Sequence, residues 1–133
     1  MPVIHQWKLP VRWDDIDQLR HVNNVVYYRY ISEARVAWFD SLGLLMTDDG
    51  TAPVVAESGA RFLKAVTYPD TVIIDTRLAH LGNSSLKLEY ELRTINDSAI
   101  HVTGFAVIVW TETQSGKPIP MPQFLRDYLI TKL

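Results

Sequence analysis

The sequence predicts an α+β chain: one long helix wrapped by a five-stranded antiparallel sheet. Three observations carry that expectation. Only residues 24–42 hold apolar side chains at helical spacing over several turns. Four later segments follow one another with short turns, the arrangement that pairs as an antiparallel sheet. A fifth strand signal precedes the helix, and a helix apolar over so much of its circumference needs a sheet that curls around it.

Taken in order, Ile4 to Trp13 reads as a strand, with His5, Trp7, Leu9, Val11 and Trp13 alternating against Gln6, Lys8 and Arg12. Pro10 demotes it to a sheet edge or a bulge, because proline donates no ladder hydrogen bond. Asp14 to Asn23 is a polar connection. The helix follows from Asn24 to Leu42, its face built from Tyr27, Ile31, Ala34, Trp38 and Leu42. Asn23 or Asn24 can cap its start, and Gly43 stands where a terminating glycine belongs.

Val54 to Val66 is the next strand, interrupted by Gly59 at a bulge or close backbone approach. After Tyr68-Pro69-Asp70 comes Thr71 to Leu78, then a turn at Gly82-Asn83-Ser84. Leu86, Leu88, Tyr90 and Leu92 alternate with Lys87, Glu89, Glu91 and Arg93, a strand wet on one side. Asn96-Asp97 turns the chain again. Ile100 to Thr111 is apolar at both parities, as in a strand covered on both faces. Pro118, Pro120 and Pro122 lead into an amphipathic tail, Gln123 to Ile130.

Composition narrows the function. The 133 residues make one domain, 1–133, large enough to bury about two thirds of the unfolded surface. Thirteen Lys and Arg against fifteen Asp and Glu leave a net charge of -2. That gives no basic field for nucleic acid or anionic lipid, so neither is expected as a partner. The absence of cysteine excludes disulfides, thiolate metal sites and thiol nucleophiles. No apolar run reaches the ~18 residues of a membrane span and no leader is visible at the N-terminus, so a cytoplasmic location is expected.

Chemistry is densest in Asp14-Asp15-Ile16-Asp17-Gln18-Leu19-Arg20-His21-Val22-Asn23-Asn24, directly before the helix. The first helical turn leaves N–H groups without partners and carries partial positive charge. A carbonyl that becomes an oxyanion is stabilised there, while a neighbouring carboxylate attacks or serves as base. Donors of this kind are worth about 3–4 kcal/mol in acyl transfer. Acidic residues before a helix also act simply as caps and dipole partners. A calcium loop does not fit, since Leu19 stands where a ligand is needed and Arg20 where glycine is needed. No metal is expected.

Arg12-Trp13-Asp14-Asp15-Ile16-Asp17, His21-Val22-Asn23-Asn24-Val25-Val26-Tyr27 and Glu33-Ala34-Arg35 together resemble the hotdog-fold acyl-CoA thioesterases, within them the 4-hydroxybenzoyl-CoA thioesterase-like group. Phe62 to Val66 with Tyr68-Pro69-Asp70, the turn at Leu81 to Ser85, and Pro118 to Pro122 extend the similarity over nearly the whole chain.

The resemblance implies hydrolysis of a small acyl- or aroyl-CoA to free acid and coenzyme A. Coenzyme A enters only as part of the substrate, and no cofactor is needed. It implies Asp17 as nucleophile or general base and the Asn24 backbone N–H as the group polarising the carbonyl. The plant acyl-carrier-protein thioesterase motif Asp-x-Asn-x-His-x-x-Asn is matched by Asp17, His21 and Asn24, with Leu19 in place of its first asparagine. Arg20 replaces a common glycine or glutamine, which bears on loop shape or on a reach toward a phosphate. Glu57 falls near a further carboxylate of some branches. Lys64 matches a basic position and, with Ser84 and Ser85, is a candidate for the coenzyme A phosphates, the turn itself offering only neutral donors. Tyr27, Tyr28, Tyr30 and Trp13 are acyl-pocket candidates, and at helical spacing these aromatics also read as core. The resemblance further implies a homodimer or a tetramer built as a dimer of dimers, with sites at the interface. Two other classes compete: a hotdog dehydratase or hydratase of acyl thioesters, and a non-catalytic acyl-ligand carrier.

Overall fold

The structure, a computed structural model, describes residues 1–45 and 49–133. Strand β1 spans Val3–Pro10, and a single 3-10 turn follows at Trp13–Asp15. Helix α1 (Asn24–Ser41) precedes β2 (Thr51–Phe62), β3 (Thr71–Leu81), β4 (Ser85–Thr94) and β5 (Val102–Glu112), and helix α2 (Gln123–Ile130) closes the chain. The five strands form one sheet in the order β1-β3-β4-β5-β2, every pair antiparallel.

β3, β4 and β5 pair in series, as short turns require. β2 does not pair with β3, which follows it in sequence. It lies beyond β5 at one edge, and residues 63–70 carry the chain back across to β3. β1 takes the other edge and stops at Pro10, so the strand expected to run to Trp13 is three residues shorter. Trp13 falls in the 3-10 turn and is 76% exposed rather than packed with Leu9 and Val11.

Both ends of α1 are set by sequence. Asn23 precedes the helix with extended backbone, and its side chain accepts the Val25 N–H at 2.9 Å. At the other end Gly43 has φ +69, its N–H donates to the Asp40 carbonyl, and Leu44 N–H reaches the Phe39 carbonyl. This paired closure needs the left-handed backbone that glycine supplies. The helix buries Tyr27, Tyr30, Ile31, Ala34, Trp38 and Phe39. Leu42 of the expected face is only partly buried, while Tyr30 and Phe39 join the core instead.

β4 alternates buried and half-buried residues along its whole length, as its sequence requires. β5 corrects its expectation: Val102, Ala106, Ile108 and Trp110 are buried, but Thr103, Phe105, Val107 and Val109 are half-buried. In β2 the irregularity falls at Ala56, between the pairs Val55–Ile108 and Glu57–Val107, not at Gly59. Gly59 does mark a close approach, since a Cβ there would lie 2.7 Å from the Phe105 ring. α2 is too short to be stable alone and is held by Leu125 and Leu129, both fully buried.

Candidate functional site

The polar connection folds as a small hairpin against the start of α1. Ile16 and Val22 form a β-bridge, and the Asp17 N–H donates to the His21 carbonyl at 3.0 Å. At its tip Asp17 Oδ1 accepts the Leu19 N–H at 2.9 Å, and the Arg20 N–H donates to the Asp17 carbonyl. Arg20 adopts φ +63, the left-handed region that favours glycine. Arg20 thus holds a backbone conformation that glycine adopts without strain.

Two anchors fix this hairpin. Val22 N–H donates to the Val66 carbonyl at 2.9 Å, while Val66 N–H donates to the Tyr27 hydroxyl at 3.0 Å. The second anchor is Asp15, only 2% exposed. Its Oδ2 accepts the Arg12 N–H at 2.9 Å and the Tyr30 hydroxyl at 2.6 Å, and its Oδ1 accepts Arg29 Nη2 at 2.5 Å. Burial alone would raise this carboxyl, but the Tyr30 hydroxyl, the Arg12 amide and Arg29 together hold it below the usual carboxylate value. The Asp15 carbonyl also accepts the Asn23 N–H at 3.0 Å.

Asp17 and Asp15 thus differ sharply. Asp17 is half-buried and forms no ion pair among the described residues. Its charge is felt by Tyr27 in the first turn of α1. Burial pushes the Tyr27 phenol upward, the Val66 amide opposes that, and the Asp17 charge adds to the rise. In the same turn the Val25 and Val26 amides are taken by Asn23, whereas the Asn24 N–H donates to no group among the described residues. A free carboxylate oxygen and an unspent, positively polarised amide so lie at one end of one helix.

The other candidates are distributed unevenly. His21 is exposed on the hairpin, and its imidazole has no polar partner among the described residues. Tyr27 is buried and stacks on Phe62 with centroids 5.4 Å apart, so it belongs to the wall of the core. Trp13 stands exposed on the preceding turn. Lys64 is at this end of the sheet, paired with Asp97.

Glu57 is not brought to this cluster. Paired with Val107, it takes the opposite parity to Ser58, Ala60 and Phe62, the positions paired with Ala106, Gly104 and Val102. Its side chain therefore projects from the sheet face away from α1.

Ser84 and Ser85 are equally remote. Ser85 pairs with Val109 and Phe62 with Val102, so about 24 Å of β5 separates their turn from the Lys64 end. Within one chain Lys64 and these serines cannot hold one phosphate. Nor is the turn purely neutral: Arg126 of α2 donates to the Gly82 carbonyl at 2.6 Å. Sequence reading missed Arg126 because nothing local links a C-terminal helix to a turn more than forty residues earlier.

Two surface clefts leave Asp17 outside their linings. One, about 730 Å³, lies on the outer sheet face along Arg61, Lys87, Glu89 and Phe105. The other, about 420 Å³, lies between α1 and β2 along Arg35, Val36, Phe39 and Val55. No three His, Cys, Asp or Glu side chains gather as a metal set among the described residues. Among the described residues no helix is long and apolar enough to cross a membrane.

Comparison with known proteins adds a consistent context. A family profile described as the thioesterase-like superfamily matches residues 11–129. A putative thioesterase from Pseudomonas aeruginosa superposes with a TM-score of 0.91 at 37% identity, over 96% of this chain and 99% of that one. A Thermus thermophilus thioesterase complexed with coenzyme A and Zn superposes with a TM-score of 0.81 at 29% identity, over 97% and 94%. An uncharacterised Bacillus subtilis protein is 30% identical over 112 residues, 84% of this chain and 76% of its own.

Proposed function

Because this chain belongs to the thioesterase-like superfamily, we propose that it hydrolyses a small acyl- or aroyl-coenzyme A thioester to the free acid and the thiol. Thioester hydrolysis is the activity that membership carries. The observation supporting the finer reading is the pairing of Asp17, one oxygen uncommitted, with the unspent Asn24 amide at the start of α1. In the hotdog arrangement we adopt, α1 is the central element around which the sheet curls.

The Asn24 N–H receives the thioester oxygen, where charge develops as the carbonyl carbon becomes tetrahedral. Asp17 takes a proton from water as the new C–O bond forms, or attacks the carbonyl carbon itself and is released by water afterwards. In either route the C–S bond breaks and the thiolate leaves, taking up a proton. His21 supports the hairpin. Tyr27 and Trp13 border the acyl group, and Lys64 contacts the coenzyme A phosphates. No resident metal or cofactor enters the scheme.

The remaining binding groups come from a second copy. β2 is a 12-residue edge strand, with Val54, Val55, Ala56, Glu57 and Ser58 all exposed. Such an edge invites pairing. Joining two chains along β2 adds to each Asp17 side a surface that its own chain lacks, including a route for Glu57, Ser84 and Ser85 to the ligand. A dimer is the minimum assembly, and a dimer of dimers extends it.

Thiol release from a panel of straight-chain and aromatic acyl-CoAs, and from acyl-carrier-protein thioesters, tests the reading. Wild type should release thiol from saturated acyl-CoA. Asp17→Asn should lower kcat by about 10²–10⁴-fold. A loss under tenfold would remove Asp17 from the chemistry. Stoichiometric product binding without turnover would favour a carrier, and intact saturated thioester would favour a dehydratase.

A further inference from the structure

We infer that Asp15 is a positioning residue for the thioesterase site, a role that rests on the Asp17–Asn24 reading. Its side chain is nine-tenths buried and more, yet three donors converge on it from two elements: Arg12 before the 3-10 turn, and Arg29 and Tyr30 on α1. Its backbone carbonyl takes the Asn23 N–H. One residue thus ties together the strand exit that precedes Asp17 and the helix start that carries Asn24.

Stability alone does not explain why this arrangement is ionic. Replacing a buried ion pair by well-packed apolar groups is often neutral or stabilising, and such networks are better attested as devices that select one conformation. The conformation selected here is specific. Asp15 stands directly before Ile16, whose bridge to Val22 closes the hairpin, and Asn23 follows Val22. With both ends of the hairpin fixed to one carboxylate, the Asp17 side chain and the Asn24 amide cannot drift independently. Tyr30 is fully buried beneath it and meets Tyr27 edge-on at 6.2 Å, so the same clamp reaches the aromatic wall beside Asp17. Asp15 has no free oxygen to offer a substrate, which separates its part from that of Asp17.

Misplacing reacting groups by about 1 Å can cost roughly 10²-fold in rate. Asp15→Asn should therefore lower kcat by about 10–100-fold, measured per folded molecule, with KM within about threefold of wild type. Tyr30→Phe removes one of the three donors and should produce a smaller loss of the same kind, keeping the idea testable if Asp15→Asn folds poorly. The second readout is independent of activity: backbone amide resonances of residues 16–24 should shift or broaden in both variants, while those of the β3–β4 turn stay in place. Unchanged resonances, or activity losses that only track the folded fraction, would overturn the role. Should Asp17→Asn keep wild-type turnover, the catalytic reading falls, and the amide resonances still decide whether Asp15 holds the hairpin.

Discussion

Asp15 and Asp17 stand two positions apart and differ in everything except side-chain type. Asp15 is enclosed and triply bonded, while Asp17 keeps one oxygen uncommitted beside a helix start. Sequence alone singles out the cluster but does not sort its members, because sorting depends on Arg29 and Tyr30 folding back from fourteen and fifteen residues away. The sorting has a pH consequence. The Asp15 carboxyl is held below 3.8 in the fold, so its contribution to stability is complete above that value and is lost as pH falls through the lower, folded one. Wild type should therefore exceed Asp15→Asn in urea midpoint near neutral pH, and the gap should narrow as pH drops well below 3.8. A gap that is constant with pH would mean the carboxylate's charge is not what the network uses. Glu57 shows the converse limit: its chemistry suits a second carboxylate, but the parity of β2 turns it to the other face.

Elements were legible where one local rule sufficed. The cap at Asn23, the left-handed Gly43 and the alternation of β4 each depend on a few neighbouring residues, and each stands where the sequence puts it. The β2 irregularity did not, because glycine signals a need for space without saying whether a bulge or a neighbouring ring creates it. Two glycines on paired strands separate these cases. At Gly59 the atoms nearest to a Cβ all belong to the Phe105 ring, a side chain rather than backbone. At Gly104 it meets Ile31 of α1 at 3.0 Å and the Gly59 carbonyl at 3.3 Å, so both helix packing and backbone resist. Gly104→Ala should cost about 1–3 kcal/mol through overpacking. The expected fall in thermal midpoint is roughly 3–10 °C, larger than for Gly59→Ala. Equal midpoints for the two variants would show that α1 yields as easily as a surface ring.

At the scale of the molecule the strand order is decisive. Sending β2 to the far side of β5 leaves it as an edge with both faces exposed over five residues, and it leaves the outer face of β5 half-covered. It also sets Lys64 and Ser84-Ser85 at opposite ends of the sheet. The proposed assembly resolves all of these together, and one charge on the edge tests it. Val55→Lys should shift the chain toward monomer in light scattering and lower turnover in parallel, since an edge lysine opposes strand pairing. A fully active monomer would show that one chain suffices for the site.

The sequence by itself determined the α+β class, the boundaries of α1, the alternation of β4 and the polar segment before α1 where carboxylates and His21 are concentrated. Each of these follows from spacing within a few residues. Only the tertiary structure decided that Asp15 is enclosed, that the Asp17 charge acts on Tyr27, that Glu57 faces away, and that Arg126 reaches the β3–β4 turn. The physical reason is common to all four: burial, facing and ion pairing depend on which distant segments meet. Here that was fixed when β2 crossed the sheet and α1 packed against it, contacts that no local pattern encodes.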